Sequence, residues 1–353
     1  MNFHQKRRKS KSSRTDRLLR NSSMRHFMIF YPATVGAVIA YFFLQRHYFF
    51  SQNPWKWFSE TEAEIVKRSL ARERVHLQEE ICSPTTKNCF HIQDTAYSRL
   101  GELAVIRDML LANTLYTYSS AALIQPLVLT GNNKNTSEWR VDKQKLPSTY
   151  GKVMVGFAFA MEGLKFDSIK KQEVLLLGLG GGVVANFLST LKKTKLKMTS
   201  IELDPTVRDV AVKWFELEEN DMHKTILADG AKFVREEAKK GKQYRAILLD
   251  ACYSTCPVEV FLKSEVVESI AHILDGDGVL AINVLTDPAR NIKKINEILK
   301  VYKIYFTSCF YFYIDLQQVL LCSHRRGWTF DEQTELFTKN LQEIDRKFGF
   351  RFT

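Results

Sequence analysis

Four short segments of the chain end in residues suited to holding an adenosyl ligand, and they follow one another at regular distances. The first is the glycine-rich run VLLLGLGGG (174–182), and the others are IELD (201–204), ADG (228–230) and ILLD (247–250). Each begins as an apolar stretch and ends in a glycine or an acid. This pattern is typical of a strand, a loop and a helix repeated along a parallel sheet, whose turns meet at one edge.

The glycines of the first turn suit a backbone that comes close to a ligand. Gly178, Gly180 and Gly182 carry no side chain, and N–H groups at the start of a helix point toward negative charge. An adenosyl cofactor that carries an amino acid, S-adenosylmethionine (SAM), would place its methionine carboxylate there. This turn alone is weak support, because glycine-rich turns occur in many folds.

The acids of the next three turns complete the predicted SAM pocket. Glu202 is placed to accept hydrogen bonds from ribose hydroxyls, and Asp229 with Gly230 would lie beside the adenine amino group. Asp250 ends the fourth strand, where reacting groups collect in such sheets. Each acid taken alone could equally be a helix cap or a solvated turn, and for Asp204 we favour the helix cap.

The elements that position these turns alternate with a period of about 25 residues from Glu173 onward. The predicted strands are 174–178, 198–202, 225–228, 245–250 and 279–284, and the predicted helices are 182–193, 206–217, 230–240, 258–274 and 288–300. Two further strands, 304–313 and 318–322, are close enough to form an antiparallel hairpin. Such a closing hairpin favours an α/β, Rossmann-like methyltransferase sheet over a plain dinucleotide-binding sheet.

The whole chain divides into six predicted segments. They are a disordered basic tail (1–25), a single transmembrane helix (26–46), a helical linker (47–73), a small N-terminal β domain (74–145), a SAM-binding methyltransferase-like domain (146–325) and a C-terminal helix (326–353). The transmembrane prediction rests on the uncharged run FMIFYPATVGAVIAYFFL (27–44), whose length approaches that of a membrane span. A buried helix or a cleaved signal peptide are the alternatives.

The expected topology follows from the basic residues around this run. Nine Lys or Arg residues precede it within residues 1–25, against Arg46 directly after it. The positive-inside rule then places the N-terminus in the cytosol and the folded domain in the lumen of the ER or Golgi, as a single-pass signal-anchor protein. The Arg- and Ser-rich leader leaves the mitochondrial inner membrane as the alternative.

The distribution of charge along the chain indicates which classes of partner it can bind. The chain has a formal net charge of +12, most of it in the first 25 residues, so the folded part is close to neutral. We therefore expect no nucleic-acid partner for the folded domain, although the basic tail could touch RNA or anionic lipid. The partners we predict are the membrane and a protein substrate, and the oligomeric state stays open.

The six cysteines fall into three local pairs, which are Cys82/Cys89, Cys252/Cys256 and Cys309/Cys322. The third pair lies symmetrically about the predicted hairpin tip, so its members would face each other across two strands and could form a disulfide. Burial as free thiols is the alternative. No second cysteine pair lies at zinc spacing from Cys252 and Cys256, so we predict no metal site.

Several of these segments together resemble a known family. The segments LLLGLGGGVVANFL, SIELDPTVRDVAVKWFEL, ADGAKFV and YRAILLDA are similar to the spermidine synthase-like group, and most closely to the C-terminal domain of the dual methyltransferase that modifies translation elongation factor 1-alpha. The resemblance covers roughly residues 75–323. It implies a small N-terminal β domain before a SAM-type sheet, with the cofactor and active-site positions at Gly178, Gly180, Glu202, Asp229 and Asp250.

The chain also departs from that family. Spermidine synthases carry two nearby carboxylates after the fourth strand, whereas Asp250 is followed by Ala-Cys-Tyr-Ser-Thr-Cys and the next acid is Glu259. Their Tyr-His-Glu-Met element corresponds here to Gly151-Lys-Val-Met154, with Tyr150 one position away. A polycationic substrate needs several carboxylates in its channel, so these losses argue against aminopropyl transfer.

Methyl transfer makes fewer demands, because it needs mainly alignment and desolvation of the nucleophile. We therefore predict a membrane-anchored SAM-dependent methyltransferase of a protein amine, with Asp250, Tyr150 and Tyr253 as the catalytic candidates. A catalytically eroded pseudoenzyme or binding module is the alternative, and an aminopropyltransferase is the third reading.

Overall fold

The computed structural model describes residues 60–99, 102–114, 116–253, 255–285, 288–314 and 317–353. The predicted basic tail, the predicted transmembrane helix and the tip of the closing hairpin lie outside these residues. Within them, every helix is too short or too polar to cross a membrane. The membrane part of the predicted fold class therefore finds no support in the structure.

A helix and a four-stranded antiparallel sheet precede the large domain. They are α1 (Glu62–Glu73), β1 (Val75–Cys82), β2 (Cys89–Arg99), β3 (Glu102–Leu111) and β4 (Thr117–Ala122), and the strands are ordered β1-β2-β3-β4. The inner face of this sheet is apolar, with Ile92, Val105 and Met109 almost fully buried. Alternating burial of this kind is typical of a sheet that packs on one side only.

The second sheet has seven strands and forms the centre of the large domain. They are β5 (Gln172–Leu177), β6 (Leu196–Glu202), β7 (His223–Leu227), β8 (Tyr244–Leu249), β9 (Leu274–Leu285), β10 (Ser308–Ile314) and β11 (Gln317–Ser323). The order is β10-β11-β9-β8-β5-β6-β7, with β11 antiparallel to both of its neighbours and β5 to β9 parallel. The predicted Rossmann-like mixed sheet with an antiparallel closing hairpin is confirmed.

Helices cover both faces of this sheet, which explains why its central strands read as continuous apolar runs. They are α2 (Thr149–Ala160), α3 (Val183–Thr190), α4 (Pro205–Phe215), α5 (Gly230–Lys239), α6 (Ser264–Ile273), α7 (Pro288–Lys303) and α8 (Thr334–Phe348). On one face α2 and α8 pack through residues such as Phe157 and Phe337. On the other face α5, α6 and α7 pack through residues such as Val234, Val267 and Tyr302.

Some local predictions differ from the structure. The strand predicted at 304–313 begins only at Ser308, because α7 continues to Lys303. The helix predicted at 258–274 begins at Ser264, after a 3-10 turn at Glu259–Leu262. His223, which the pattern places in a surface loop, is buried at the start of β7, with Nε2 2.9 Å from the Ser200 hydroxyl.

Candidate active site

A cavity of about 480 Å³ opens at the carboxyl ends of β5, β6, β7 and β8. This volume lies in the range typical of small-molecule sites, and the position is the one expected where strand order reverses beside the first parallel strand. Of the predicted site residues, those that line the cavity are Tyr150, Gly178, Gly180, Glu202, Asp229, Gly230, Asp250 and Tyr253. Gly182 is the one that does not.

The glycine turn lies close to the backbone of Asp250 on one side and to Ser119 on the other. A Cβ on Gly178 would collide with the carbonyl of Asp250, and a Cβ on Gly180 would lie 2.5 Å from the Ser119 hydroxyl oxygen. Gly180 also has a φ of +54°, a conformation that L side chains rarely adopt. Gly182 has a φ of +69° and faces Leu217 instead of the cavity. Its role is thus to start α3, which it precedes.

Glu202 lies at the end of β6 with its carboxylate bound to the backbone. Oε2 accepts the N–H of Leu179 at 3.1 Å, and Oε1 accepts the N–H groups of Leu203 at 2.8 Å and Asp204 at 2.9 Å. Burial raises the pKa of Glu202, while these backbone donors oppose the rise. The three bonds fix the carboxylate at the cavity wall and leave it free lone-pair capacity for a ligand hydroxyl.

Two further acids of these turns, Asp204 and Asp229, have different surroundings. Asp204 is almost fully buried and caps α4 by accepting the N–H of Thr206 at 2.9 Å. It also accepts hydrogen bonds from the hydroxyls of Ser83 at 2.8 Å and Thr86 at 2.6 Å, so it joins the two sheets. Asp229 is exposed and caps α5 by accepting the N–H of Lys232 at 2.9 Å.

Asp250 directly follows β8, and two side chains donate hydrogen bonds to its carboxylate. Its Oδ1 accepts a hydrogen bond from Asn283 Nδ2 at 2.8 Å, and its carboxylate also accepts one from the Tyr150 hydroxyl. Loss of solvent raises the pKa of Asp250 to about 6, although both hydrogen bonds favour the charged form and oppose the rise. A carboxylate of this kind can exchange a proton near neutral pH.

Aromatic rings from the N-terminal sheet face this acid across the cavity. The ring centroids of Tyr116 and Tyr118 are 5.3 Å apart, and those of Tyr118 and Phe90 are also 5.3 Å apart. Burial raises the pKa of both tyrosines, that of Tyr118 to about 12, so their hydroxyls stay neutral. Tyr253 is half exposed, and its hydroxyl donates to Asn88 Oδ1 at 3.3 Å.

The lining is acidic. Four carboxylates line the cavity, and Lys, Arg and His are absent from the lining within the described residues. The four are Glu202, Asp204, Asp229 and Asp250. A cavity charged in this way favours a ligand that carries positive charge.

Two disulfides border the cavity. Cys82–Cys89 closes the loop that carries Thr86 and Asn88, and Cys252–Cys256 closes the loop that carries Tyr253. The third pair also forms a disulfide, with its members opposite each other in the β10–β11 register. All six cysteines are therefore joined, and the acids beside them, Glu80 and Asp250, have no thiolate with which to share a metal ion.

Sequence reasoning missed every residue that the N-terminal sheet contributes to the cavity, namely Phe90, Tyr116, Tyr118, Ser119 and Ser120. Nothing in their local pattern distinguishes them from other strand residues. It also missed Asn283, for which a signal exists. A polar amide inside the apolar run VLAINVL (279–285) is unusual, because a buried amide needs partners.

Known proteins are similar to this chain in sequence and in fold. Residues 151–321 match the spermine/spermidine synthase domain. This part of the chain is thus similar to that domain. A curated relative, the eEF1A lysine and N-terminal methyltransferase homolog of Drosophila melanogaster, is 24% identical over 239 residues, which cover 65% of this chain and 34% of the relative. The chain thus spans about a third of the length of the curated relatives it matches.

Solved structures are similar in fold. A probable spermidine synthase from Corynebacterium glutamicum is 14% identical, with a TM-score of 0.55 over 75% of this chain and 86% of that chain. Human Methyltransferase-like protein 13 in complex with SAH is 22% identical, with a TM-score of 0.49 over 56% of this chain and 93% of that chain. The first of these supports the α/β fold.

The relatives decide two of the sequence predictions. The predicted cofactor, SAM, is confirmed by relatives that are methyltransferases by name. The predicted location is wrong: we expected a single-pass membrane protein with a lumenal domain, whereas the relative is a methyltransferase of eEF1A, a translation factor, and translation does not take place in that lumen.

Proposed function

We propose that this chain is a SAM-dependent methyltransferase whose acceptor is an amine of a protein, as the names of its relatives state for eEF1A. One observation carries the proposal. Asp250, with a pKa near 6, faces an acidic and aromatic cavity beside a glycine turn. Such a carboxylate is ionised at neutral pH yet still basic enough to take a proton from an ammonium group.

The residues present fit SAM. The adenine would lie among apolar side chains of the cavity, among them Ile201, Leu203 and Phe261, with Asp229 beside its amino group. Glu202 would bind the ribose hydroxyls, since its carboxylate is already fixed by backbone donors. The methionine end would lie along the turn at Gly180. The acidic lining suits both the sulfonium and the amino group of SAM.

The chain's own residues would prepare the acceptor. When bound, SAM supplies a methyl group on a positively charged sulfur. An ammonium group is not a nucleophile, so the acceptor must first give a proton to the Asp250 carboxylate. Its nitrogen lone pair then forms the new C–N bond while the C–S bond electrons stay on sulfur. Tyr150, hydrogen-bonded to Asp250, holds the carboxylate toward the cavity.

The aromatic rings support a cationic acceptor. Tyr116, Tyr118 and Phe90 form a continuous wall opposite Asp250. The face of an aromatic ring attracts an ammonium group, and this attraction is stronger where water is excluded. A wall of rings with a carboxylate opposite therefore suits a protein amine, which enters charged and leaves charged after methylation.

The test uses the full chain with radiolabelled methyl-SAM and recombinant eEF1A as the acceptor, together with SAM and SAH calorimetry. We expect micromolar binding of SAM and label in eEF1A that is lost in Asp250→Asn, with SAM binding retained. Binding without transfer to any protein of a cell extract would favour the pseudoenzyme alternative. A folded chain that binds neither SAM nor SAH would overturn the proposal.

One observation favours a second candidate, an aminopropyltransferase. The described lining of the cavity contains no cationic side chain to pair with the methionine carboxylate, and decarboxylated SAM lacks that group. The matched domain is also that of spermine and spermidine synthases. Calorimetry with both compounds separates the two functions. Tighter binding of SAM, as we expect, supports methyl transfer, whereas binding of decarboxylated SAM that is at least tenfold tighter, about 1.4 kcal/mol, supports aminopropyl transfer.

A further inference from the structure

A line of amide side chains runs through the sheet to Asp250. Gln317, the first residue of β11, donates from Nε2 to Asn283 Oδ1 at 2.7 Å. Asn283, on the neighbouring strand β9, donates from Nδ2 to Asp250 Oδ1 at 2.8 Å. The three residues come from different strands or strand ends and are brought together by the order β11-β9-β8. The closing hairpin thereby reaches the candidate active site.

The position of Asn283 is unusual for a residue without a polar role. It is 2% exposed and lies between Ile282 and Val284, which are fully buried. An apolar residue would fill this place without the need for partners, and a buried amide is tolerated only where its donors and acceptor are bound. Its two short bonds lead along one line, from Gln317 to Asp250, and Nδ2 also lies 3.7 Å from Cys252 Sγ in the loop after β8.

The direction of this line is fixed at Asp250, because an ionised carboxylate only accepts hydrogen bonds. Asn283 therefore turns its NH₂ group toward Asp250 and its oxygen toward Gln317, which presents an N–H group. The reverse orientation would place the amide oxygen of Asn283 against the Asp250 carboxylate and two N–H groups against each other. The Gln317 donor therefore holds Asn283 in the orientation that gives Asp250 a donor, which stabilises the charged carboxylate.

We propose that Asn283 is a positioning residue of this site and that Gln317 holds its orientation, so that the closing hairpin keeps Asp250 ionised and correctly turned for the acceptor amine. This inference rests on the proposed function for its effect on turnover. Neither amide is among the residues that line the cavity.

The other groups that face Asp250 do not replace this donor. From α2, Tyr150 hydrogen-bonds to the carboxylate, and from the N-terminal sheet Tyr116 lies near it. Burial raises the pKa of both phenols above its ordinary value, so both stay neutral. In the following loop Cys252 is in a disulfide and does not titrate, and the phenol of Tyr253 is bound to Asn88.

Two substitutions test the line. Asn283→Leu removes the donor, and Gln317→Glu replaces the donor by an acceptor of nearly the same shape, so that Asn283 must turn its NH₂ group away from Asp250. Both should raise the pKa of Asp250, and Gln317→Glu should raise it more because its own negative charge adds to the effect. A rise of one unit lowers the ionised fraction about tenfold at acidic pH.

The measurement is a carboxyl carbon NMR titration of the full chain, with the Asp250 signal assigned by its loss in Asp250→Asn. We expect the midpoint to move up by about one pH unit in Asn283→Leu and by more in Gln317→Glu. Gln243→Glu, an exposed change before β8, is the matched control and should leave the midpoint unchanged. The same shifts should appear in the pH profile of kcat, with the SAM dissociation constant unaltered.

The outcomes are distinguishable. If the variants fold and the Asp250 midpoint equals that of the unaltered chain, the inference is wrong, whatever the activity. If the NMR midpoints move but no variant and no unaltered chain transfers a methyl group, the line of amides stands and the proposed function fails. If Asn283→Leu does not fold, Gln317→Glu with its Gln243→Glu control decides alone.

Discussion

The backbone N–H of Gly181 donates a 2.7 Å hydrogen bond to the Ser119 hydroxyl, so β4 of the N-terminal sheet is fastened to the glycine turn of the large domain. The turn is thereby shaped by a strand some sixty residues earlier in the chain. A substitution that disturbs the contact between Gly181 and Ser119 should therefore weaken ligand binding in the cavity more than it lowers the free energy of unfolding.

Gly180→Ala tests this contact. Its left-handed backbone should cost about 1–2 kcal/mol with any side chain, and the new Cβ would also press on the Ser119 hydroxyl. We expect SAM affinity to fall about tenfold, or about 1.4 kcal/mol, as measured by calorimetry. Gly241→Ala is the control, because it has a φ of +67° and nothing within 4 Å of the added Cβ. It should lose similar stability and keep its affinity. Equal losses of affinity in both would contradict the prediction.

The pH dependence of methyl transfer should follow Asp250. Its pKa is raised to about 6, and the ionised form is the base, so the rate should fall as the pH drops through about 6. Tyr150→Phe removes a hydrogen bond that favours the ionised form, so its midpoint should lie at higher pH. A pH–rate profile checks both. A midpoint that stays in place in Tyr150→Phe would show that this hydroxyl does not act on Asp250.

Much of the large domain could be predicted from the sequence, because its central strands are buried on both faces and read as apolar runs. The turn residues Gly178, Glu202, Asp229 and Asp250 could be placed for the same reason, since each follows such a run. The ends of the strands and helices were less predictable. The helix predicted at 182–193 ends at Thr190, where a short 3-10 turn at Lys192–Thr194 replaces it.

The wall opposite Asp250 could not be predicted. Tyr116 and Tyr118 lie far before the glycine turn in sequence, and local periodicity does not determine which side of a distant domain a strand will cover. The line of amide side chains from Gln317 through Asn283 to Asp250 could not be predicted either, because it depends on the pairing of β11 with β9. Contacts between distant strands thus complete a site whose acids the sequence alone could place.

Substitutions of Asp204 and Asp229 should distinguish an effect on the free energy of unfolding from an effect on SAM binding. Asp204→Ala removes a buried helix cap and the bonds from Ser83 and Thr86, so we expect a loss of about 1–2 kcal/mol, measured by urea denaturation. Asp229→Ala removes an exposed cap and should cost less, but should weaken SAM binding through the lost adenine contact. If Asp204→Ala proves as stable as the unaltered chain, the bonds of Asp204 to Ser83 and Thr86 do not stabilise the contact between the two sheets.

A buried ion pair, Asp94 on β2 with Arg107 on β3, lies within the N-terminal sheet. Both guanidinium nitrogens that face Asp94 bond to it, Nε at 2.7 Å and Nη2 at 2.8 Å, and the pair is almost fully enclosed. Nη1 also donates to the carbonyl of Trp214 at 3.1 Å, at the end of α4. Arg107 therefore connects β3 to the large domain as well as neutralising a buried acid.

Arg107→Leu should be the most damaging of these substitutions. It leaves the Asp94 charge buried without its partner, which typically costs about 3–5 kcal/mol, and it removes the bond to the Trp214 carbonyl. Replacing Asp94 by Leu as well should restore much of the loss, since no buried charge then remains. Arg140→Ala breaks an exposed pair with Glu216 and should leave the urea midpoint unchanged. If the double variant were no more stable than Arg107→Leu, the bonds to the large domain, and not the buried charge, would account for the loss.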